Sequence, residues 1–455
     1  MADTHQQSDL VFDVVVIGAG AMGLSAAYRA AKAGASTLTL ESGSVPGGMA
    51  AHFDFEGVSL ERFYHFMCLT DHDTLELLDE LGLADSVVWK HTRMGYFTRN
   101  KLYPWGNPVA LLMYPHLNLV EKFRYGLMAF WCTKRKAWGA SENMTAPDWF
   151  RAWLGNSCYE KMWQRLLHQK FFQYTDVVSA TWLATRIQRI GRSRSSLMKE
   201  KLGHIAGGTQ TLVDALVRGI EAHAGQITCG SRVLSVTTGE AGLKKIETAD
   251  GRTVFAREVI STVPTPIVSK MIPELSKDER SKLDSIENIG VVCLVYKLKK
   301  PVSGNFWVNI MDEQQAIPGL IEFSALRDFG DDHIVYAPYY MPTDNERWGW
   351  SDEALLDEAF RTIQAINPGI AESDLIARQA SRLAYSQPIC TPNFSDRLPP
   401  VETSVPGVQV ADTCYYYPED RGISESVGLG KRMAQTALSR LSKVTMQSSE
   451  QTRNG

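Results

Sequence analysis

Three glycines and one acid are spaced to grip a dinucleotide. Gly18-Ala-Gly20-Ala-Met-Gly23 follows the β-branched run Val11–Ile17 and opens the small-residue stretch Ala21–Ala33; Glu41 comes eighteen residues after Gly23. Between a strand and a helix, Gly18 permits a tight turn, Gly20 lets the backbone approach a pyrophosphate, and Gly23 lets the helix pack on the strand. The helix start offers free N–H groups and a partial positive charge to phosphate. Glu41 closes the next apolar run, Thr37–Leu40, where a carboxylate accepts from both hydroxyls of a non-phosphorylated ribose. A glycine-rich structural turn with a surface glutamate is the plain alternative, and the motif alone does not separate FAD from NAD.

The elements that must hold these residues read as one βαβ unit in the first forty positions. From about Leu75 to Arg186 the pattern turns to helices rich in Trp, Leu and Arg, as in an inserted lobe. The α/β pattern returns at Gly207-Gly208-Thr209-Gln210, followed by a helix Thr211–Ala222, a strand Arg232–Thr238, a hairpin turning at Asp250-Gly251 and a strand Glu258–Val263. Residues 264–405 read as mixed strand and helix, and Val408–Asp412 as a buried strand leading to a helix Ser424–Leu438. The Ser/Gln/Thr-rich end after Lys443 is expected to be disordered.

Composition narrows the class. A chain of 455 residues calls for at least two lobes. A net charge of −4 with scattered basic residues excludes the one-sided positive field of a nucleic-acid binder. The seven cysteines are far apart and lack a CxxC pair, which argues against a disulfide framework or zinc site and for a reducing compartment. The first ten residues contain Asp3 and Asp9 and no apolar stretch, so a secretory signal is not expected and a cytoplasmic location is. Leu102–Val120 is charge-free, but Pro104, Pro108 and Pro115 argue against a membrane-spanning helix there.

Further motifs carry a resemblance. A second glycine pair, Gly47-Gly48-Met49, follows Glu41; then come Gly207-Gly208-Thr209-Gln210, Val259-Ile-Ser-Thr-Val-Pro264, and Val410-Ala-Asp412 ahead of Ser426. In this order the motifs resemble the flavin-containing amine oxidase superfamily, which includes protoporphyrinogen oxidases, phytoene desaturases and UDP-galactopyranose mutases. Most members have Arg where this chain has Met49, and Gly where it has Ala411. The resemblance implies an α/β fold: a Rossmann-like FAD-binding domain of the GR2 type with an inserted mixed α+β substrate domain that includes a helical lobe. The implied division is 1–74, 201–264 and 406–445 for the FAD-binding parts, 75–200 for the helical and possibly membrane-facing lobe, 265–405 for the substrate domain and 446–455 for the tail. It also implies that Gly48 and Met49 lie under FAD, the Val233 backbone meets the adenine, Asp412 binds the ribityl chain, and N–H groups around Ser426 and Val427 face the flavin. The FAD is expected to be non-covalent, because Cys414, the nearest candidate for a covalent link, sits too early in the last motif.

On the substrate side, the resemblance places Glu61-Arg-Phe-Tyr-His65-Phe66 beside the flavin ring. A neutral His65 there accepts a proton or hydrogen-bonds the reduced ring; a core histidine bonded to backbone is the alternative. Arg186 and Arg189 share a helix face and suit a substrate phosphate or carboxylate, or form a solvated helix end, with Arg192 and Arg194 on a loop after Gly191. Tyr416 and Arg421, in the run Tyr415–Gly422, line the ring or the pocket mouth, or build a rigid aromatic turn. Leu117–Trp131 with Lys134-Arg135-Lys136 reads as an interfacial helix on anionic lipid or as a buried helix of the lobe. The expected activity is hydride transfer from a C–N or C–C substrate to flavin N5, with O2 or a quinone as acceptor. The alternative is a non-redox mutase acting on a nucleotide sugar.

Overall fold

The structure, a computed structural model, describes residues 11–454, with side chains through Lys443. The first ten residues, and the side chains of the tail expected at 446–455, lie outside that range. β1 (Val11–Ile17), α1 (Ala21–Lys32) and β2 (Thr37–Leu40) form the expected βαβ unit. The chain returns to this domain with α2 (Thr209–Ala222), β3 (Gln226–Thr228), β4 (Val233–Thr238), β5 (Lys244–Thr248) and β6 (Thr253–Ser261), and again with β7 (Val408–Val410) and α3 (Ile423–Asn454).

Three distant stretches therefore build one sheet, ordered β3-β2-β1-β6-β5-β4, with β7 also on β6. Strands β3, β2, β1, β6 and β7 pair in parallel, and β6, β5 and β4 form an antiparallel meander. Both faces of the parallel part are covered, which is why β2 is wholly apolar or Thr and fully buried. Register sets the site: Ile17 stands opposite Leu40 and Ser261, and Ser261 opposite Val410, so four strands end level. The crevice beyond the carboxyl ends of such strands is where this architecture binds ligands. Above it α1 and α3 cross so closely that a Cβ on Gly430 would lie 2.2 Å from the Met22 carbonyl oxygen. The small residues of α1 serve this crossing.

Several boundaries differ from expectation. β6 begins at Thr253 rather than Glu258, because its first half is the return arm of the hairpin at Asp250-Gly251. β7 stops at Val410, and α3 passes the Leu438 end expected for it. The larger correction concerns the helical lobe. Residues 87–105 form three strands, Val87–Thr92, Met94–Thr98 and Lys101–Trp105. Arg99 and Asn100 turn the last pair with positive φ at both positions, the geometry of a two-residue hairpin. That hairpin joins a second sheet whose strand order is 375–388, 288–298, 333–341, 319–322, 307–310, 94–98, 101–105. After the helix His72–Glu80 and these strands, helices resume at Pro108 and pack around Trp149, Phe150, Tyr159 and Trp182. Arg192 is the last residue of the helix Ala180–Arg192, and Arg194 lies in a strand, not on a loop.

The helix Leu119–Lys134 starts with a capping box, Asn118 and Glu121. It turns Met128 and Cys132 inward, whereas Leu119 (78 % exposed), Phe123 (70 %) and Phe130 stand in solvent with Met113 of the preceding helix Pro108–Met113. None of the described helices is long and apolar enough to cross a membrane.

Candidate active site

A cavity of about 1090 Å³ begins at the level strand ends and runs under the second sheet. That is at the top of the ~300–1,000 Å³ of ordinary ligand pockets. At the near end, α1 starts at Gly20 with no side-chain cap and no acid in its first turn, so its N–H groups are free. Gly18 has φ +101, and a Cβ there would meet the Thr262 hydroxyl at 2.6 Å; a Cβ on Gly23 would lie 1.8 Å from the Gly18 carbonyl oxygen. A Cβ on Gly20 would meet nothing within 4 Å. Gly18 and Gly23 are thus fixed by packing, and Gly23 does not line the cavity, whereas Gly20 faces open space within it. The second pair presses on this loop: Gly47 donates its N–H to the Ala19 carbonyl, and Gly48 approaches the Gly20 backbone. The Glu41 carboxylate accepts the N–H groups of Ala19 and Gly43, each at 2.7 Å, holding both loops beside the cavity. Met49 and Val233 line the same end.

Two residues passed over in the sequence also line the cavity. Arg62 and Arg232 are exposed and, among the described residues, neither guanidinium has a hydrogen bond or ion pair. Free cations, an open helix N-terminus and a cradle without side chains fit the pyrophosphate of a dinucleotide. A basic residue near a glycine motif is too common for sequence alone to single either one out.

Deeper in, His65 lines the cavity with a buried Nδ1 that has no hydrogen-bond partner among the described residues. Burial pushes its pKa down to about 4, against the opposing pull of Glu61, so the imidazole is neutral near pH 7. Tyr64 stands beside it, 5.8 Å from the rings of Trp307 and Tyr336, its hydroxyl held protonated by burial. Asp412 lines the cavity but already accepts the N–H groups of Thr265 (2.6 Å) and Cys414 (2.8 Å), tying the end of β7 to the loop after β6. Burial raises its pKa.

The last helix requires a shift of register. α3 starts at Ile423, and the Ser426 N–H is bonded to the Gly422 carbonyl. The free donors are those of residues 423–425, one turn before the expected Ser426 and Val427. Ser426 reaches the cavity through its hydroxyl, paired with Tyr416 at 2.7 Å; Val427 is buried against α1 and does not line the cavity.

The two arginines of the helix Ala180–Arg192 part company. Arg189 makes a two-pronged bond to Asp71 (3.2 and 2.8 Å), which neutralises it and ties the lobe to the cofactor domain. It borders the cavity with its charge already paired to Asp71. Arg186 contacts Asp420 at 2.6 Å, and Arg421 donates to the Ser386 carbonyl and hydroxyl; all line the cavity with Tyr416. Arg192 donates to the carbonyls of Thr133 and Arg135, closing the end of the helix Leu119–Lys134. A second cavity of about 500 Å³ lies beyond Arg189 and Tyr416. Glu425 borders it, its pKa raised by burial to about 7 and one carboxylate oxygen without a partner.

The flavin containing amine oxidoreductase model matches residues 23–419. A 15-cis-phytoene desaturase of Solanum lycopersicum is 22 % identical over 394 residues, 80 % of this chain and 66 % of that one. The corresponding protein of Capsicum annuum is 24 % identical over 305 residues. The chain spans 51 % and 66 % of the length of these two relatives. Among solved structures, a provisionally named protoporphyrinogen oxidase of Exiguobacterium sp. 255-15 superposes with a TM-score of 0.74 at 18 % identity, covering 95 % of this chain and 99 % of that one. Reduced UDP-galactopyranose mutase gives 0.73 at 15 % identity, covering 94 % and 96 %. These likenesses show a shared fold. With the family model spanning most of its length, the chain belongs to the flavin containing amine oxidoreductases.

Proposed function

We propose that the protein binds FAD non-covalently and oxidises an organic substrate at a C–H bond next to nitrogen or carbon, with O2 or a quinone as final acceptor. One observation carries this reading: a single cavity joins the glycine loop and Glu41 to a chamber under the second sheet that Tyr64, Trp307 and Tyr340 line, so cofactor and substrate surfaces are continuous. Gly18, Gly20, Glu41, Gly48, Met49, Arg62 and Val233 would hold the dinucleotide, and Asp412 and Ser426 the far end. When bound, the flavin supplies hydride acceptance. His65 offers a neutral Nδ1 to a proton released from substrate, and the aromatic wall of Tyr64, Trp307 and Tyr340 excludes water. Among the described cysteines only Cys293 lines the cavity; burial raises its pKa to about 12, which leaves it a poor partner for a covalent flavin link.

The partner proposed for the exposed face of Pro108–Lys134 is the inner surface of an anionic membrane. Its apolar residues are bordered by Lys134, Arg135 and Lys136, all exposed, while Glu121 is buried and paired with Lys161 at 2.9 Å. Free thiols at all seven cysteines suit that cytoplasmic side.

The test is anaerobic mixing of the purified flavoprotein with amines, polyprenyl compounds, porphyrinogens and nucleotide sugars, followed by flavin absorbance. Bleaching by a member of the panel is expected. Turnover of a nucleotide sugar only after reduction by dithionite would replace this reading with the non-redox mutase.

A further inference from the structure

The deep end of the cavity carries more positive charge than it neutralises. Lys170, from the helix Arg165–Phe171, lies against the Tyr340 ring, which lines the cavity with Arg186 and Arg421, and the Asp420 carboxylate acts on all three cations. Lys170 lies over the Tyr340 ring (4.7 Å) and the Trp182 ring (5.2 Å) and, among the described residues, has no carboxylate within ion-pair distance; Arg421 flanks the Tyr340 ring as well. Arg186 meets Asp420 at 2.6 Å, but off its N–H direction, as an ion contact without a hydrogen bond. The second Asp420 oxygen and the Arg421 Nε, 3.9 Å apart, are both buried and without hydrogen bonds. Buried cations of this kind are matched by anions in stable proteins, and an unmatched set is retained where a ligand completes it.

We propose that Arg421 and Arg186 form a subsite for a carboxylate of the substrate, with Lys170 adding its field from behind Tyr340. The inference rests on the hydride-transfer reading and adds the substrate's class: a singly charged organic anion. The arithmetic of charge favours a monoanion. The two guanidinium groups that line the cavity share one aspartate and leave one positive charge unmatched. One carboxylate balances it, whereas a phosphate or diphosphate would overshoot. The groups come from separate segments, the helices 165–171 and 180–192, the strands 333–341 and 375–388, and the loop before α3. Tyr340 and the fully buried Ser386 hydroxyl supply neutral polar surface beside them.

The test uses the flavoprotein and measures binding by calorimetry, with hexanoate, hexanol, inorganic phosphate and UDP as probes. Hexanoate is expected to bind better than hexanol, and Arg421→Gln to weaken hexanoate about ten- to hundredfold, the loss of a charge-assisted contact, without changing hexanol. Lys170→Met, which keeps the packing over Tyr340, is the second variant should Arg421→Gln fail to fold; it too is expected to weaken hexanoate alone. Equal binding of hexanoate and hexanol to the parent protein overturns the proposal, as does preferred binding of phosphate or UDP. Both results leave the hydride reading intact, since that stands or falls on bleaching of the flavin by the substrate panel.

Discussion

Replacing Glu41 by alanine tests the cofactor site where its geometry is most explicit. A carboxylate offers about four acceptor positions. The Ala19 and Gly43 N–H groups occupy two of them at 2.7 Å, and the Ser42 hydroxyl a third at 3.2 Å, so at least one remains for a ribose hydroxyl. Two effects follow and can be separated. The buried Ala19 N–H loses its acceptor in both apo and holo protein, lowering stability by about 1–3 kcal/mol in each. The ribose contact exists only with cofactor bound, and a hydrogen bond to a charged group is worth about 1.5–3 kcal/mol, or roughly ten- to 150-fold in Kd. Glu41→Gln should fall near the alanine variant, because its amide carries one oxygen and must present N–H to one of two backbone donors. The assay is titration of apoprotein with FAD by fluorescence quenching, beside melting of the apoprotein. A Glu41→Ala protein that melts lower yet binds FAD within about threefold of the parent, less than the smallest contact considered, refutes the ribose assignment and leaves Glu41 as a loop strut.

His65→Ala should lower the rate of flavin reduction per bound FAD by about 10², the low end for a general base, because an imidazole whose conjugate acid has a pKa of about 4 is a weak base; a change within a few-fold, by stopped flow, removes it from the chemistry. Glu425 has a folded pKa raised to about 7 from an ordinary 4.5, so the native state holds the extra proton and stability is lost as pH rises through that window. Melting from pH 5 to 8 should fall more for the parent than for Glu425→Gln, and parallel curves would show that the carboxyl is already charged. Anionic vesicles should sediment the protein less well after Phe123→Ser and Phe130→Ser, and less well after Lys134, Arg135 and Lys136 become Ala, with salt weakening the parent; no sedimentation of the parent at low salt ends the membrane reading. Acid precipitation should leave all FAD in the supernatant, and flavin in the pellet would mean a covalent link.

What the sequence determined by itself was whatever depends on local chain geometry. Gly18, Gly20, Gly23 and Glu41 lie within one βαβ unit, where spacing along the chain is spacing in space, and their strand, turn and helix stand where the pattern put them. The return motifs at 207–210, 259–264 and 410–412 were legible because each also marks a local turn between a strand and a helix. The tertiary structure decided everything set by contacts between distant segments. Arg186 and Arg189 are equivalent along their helix, yet Asp71 neutralises one and Asp420 meets the other, and neither acid can be assigned from spacing. The Met94–Trp105 hairpin was hidden among aromatic residues that suit a helix as well as a strand, and pairing with Trp307–Ile310 made it part of the substrate sheet. The free donors of α3 lie at residues 423–425 rather than at Ser426 and Val427, because the helix starts at Ile423 and the Ser426 N–H already bonds the Gly422 carbonyl. Lys170 and Tyr340 carry no motif at all; folding alone brings a helix and a strand beside the Asp420-Arg421 pair of the run Tyr415–Gly422.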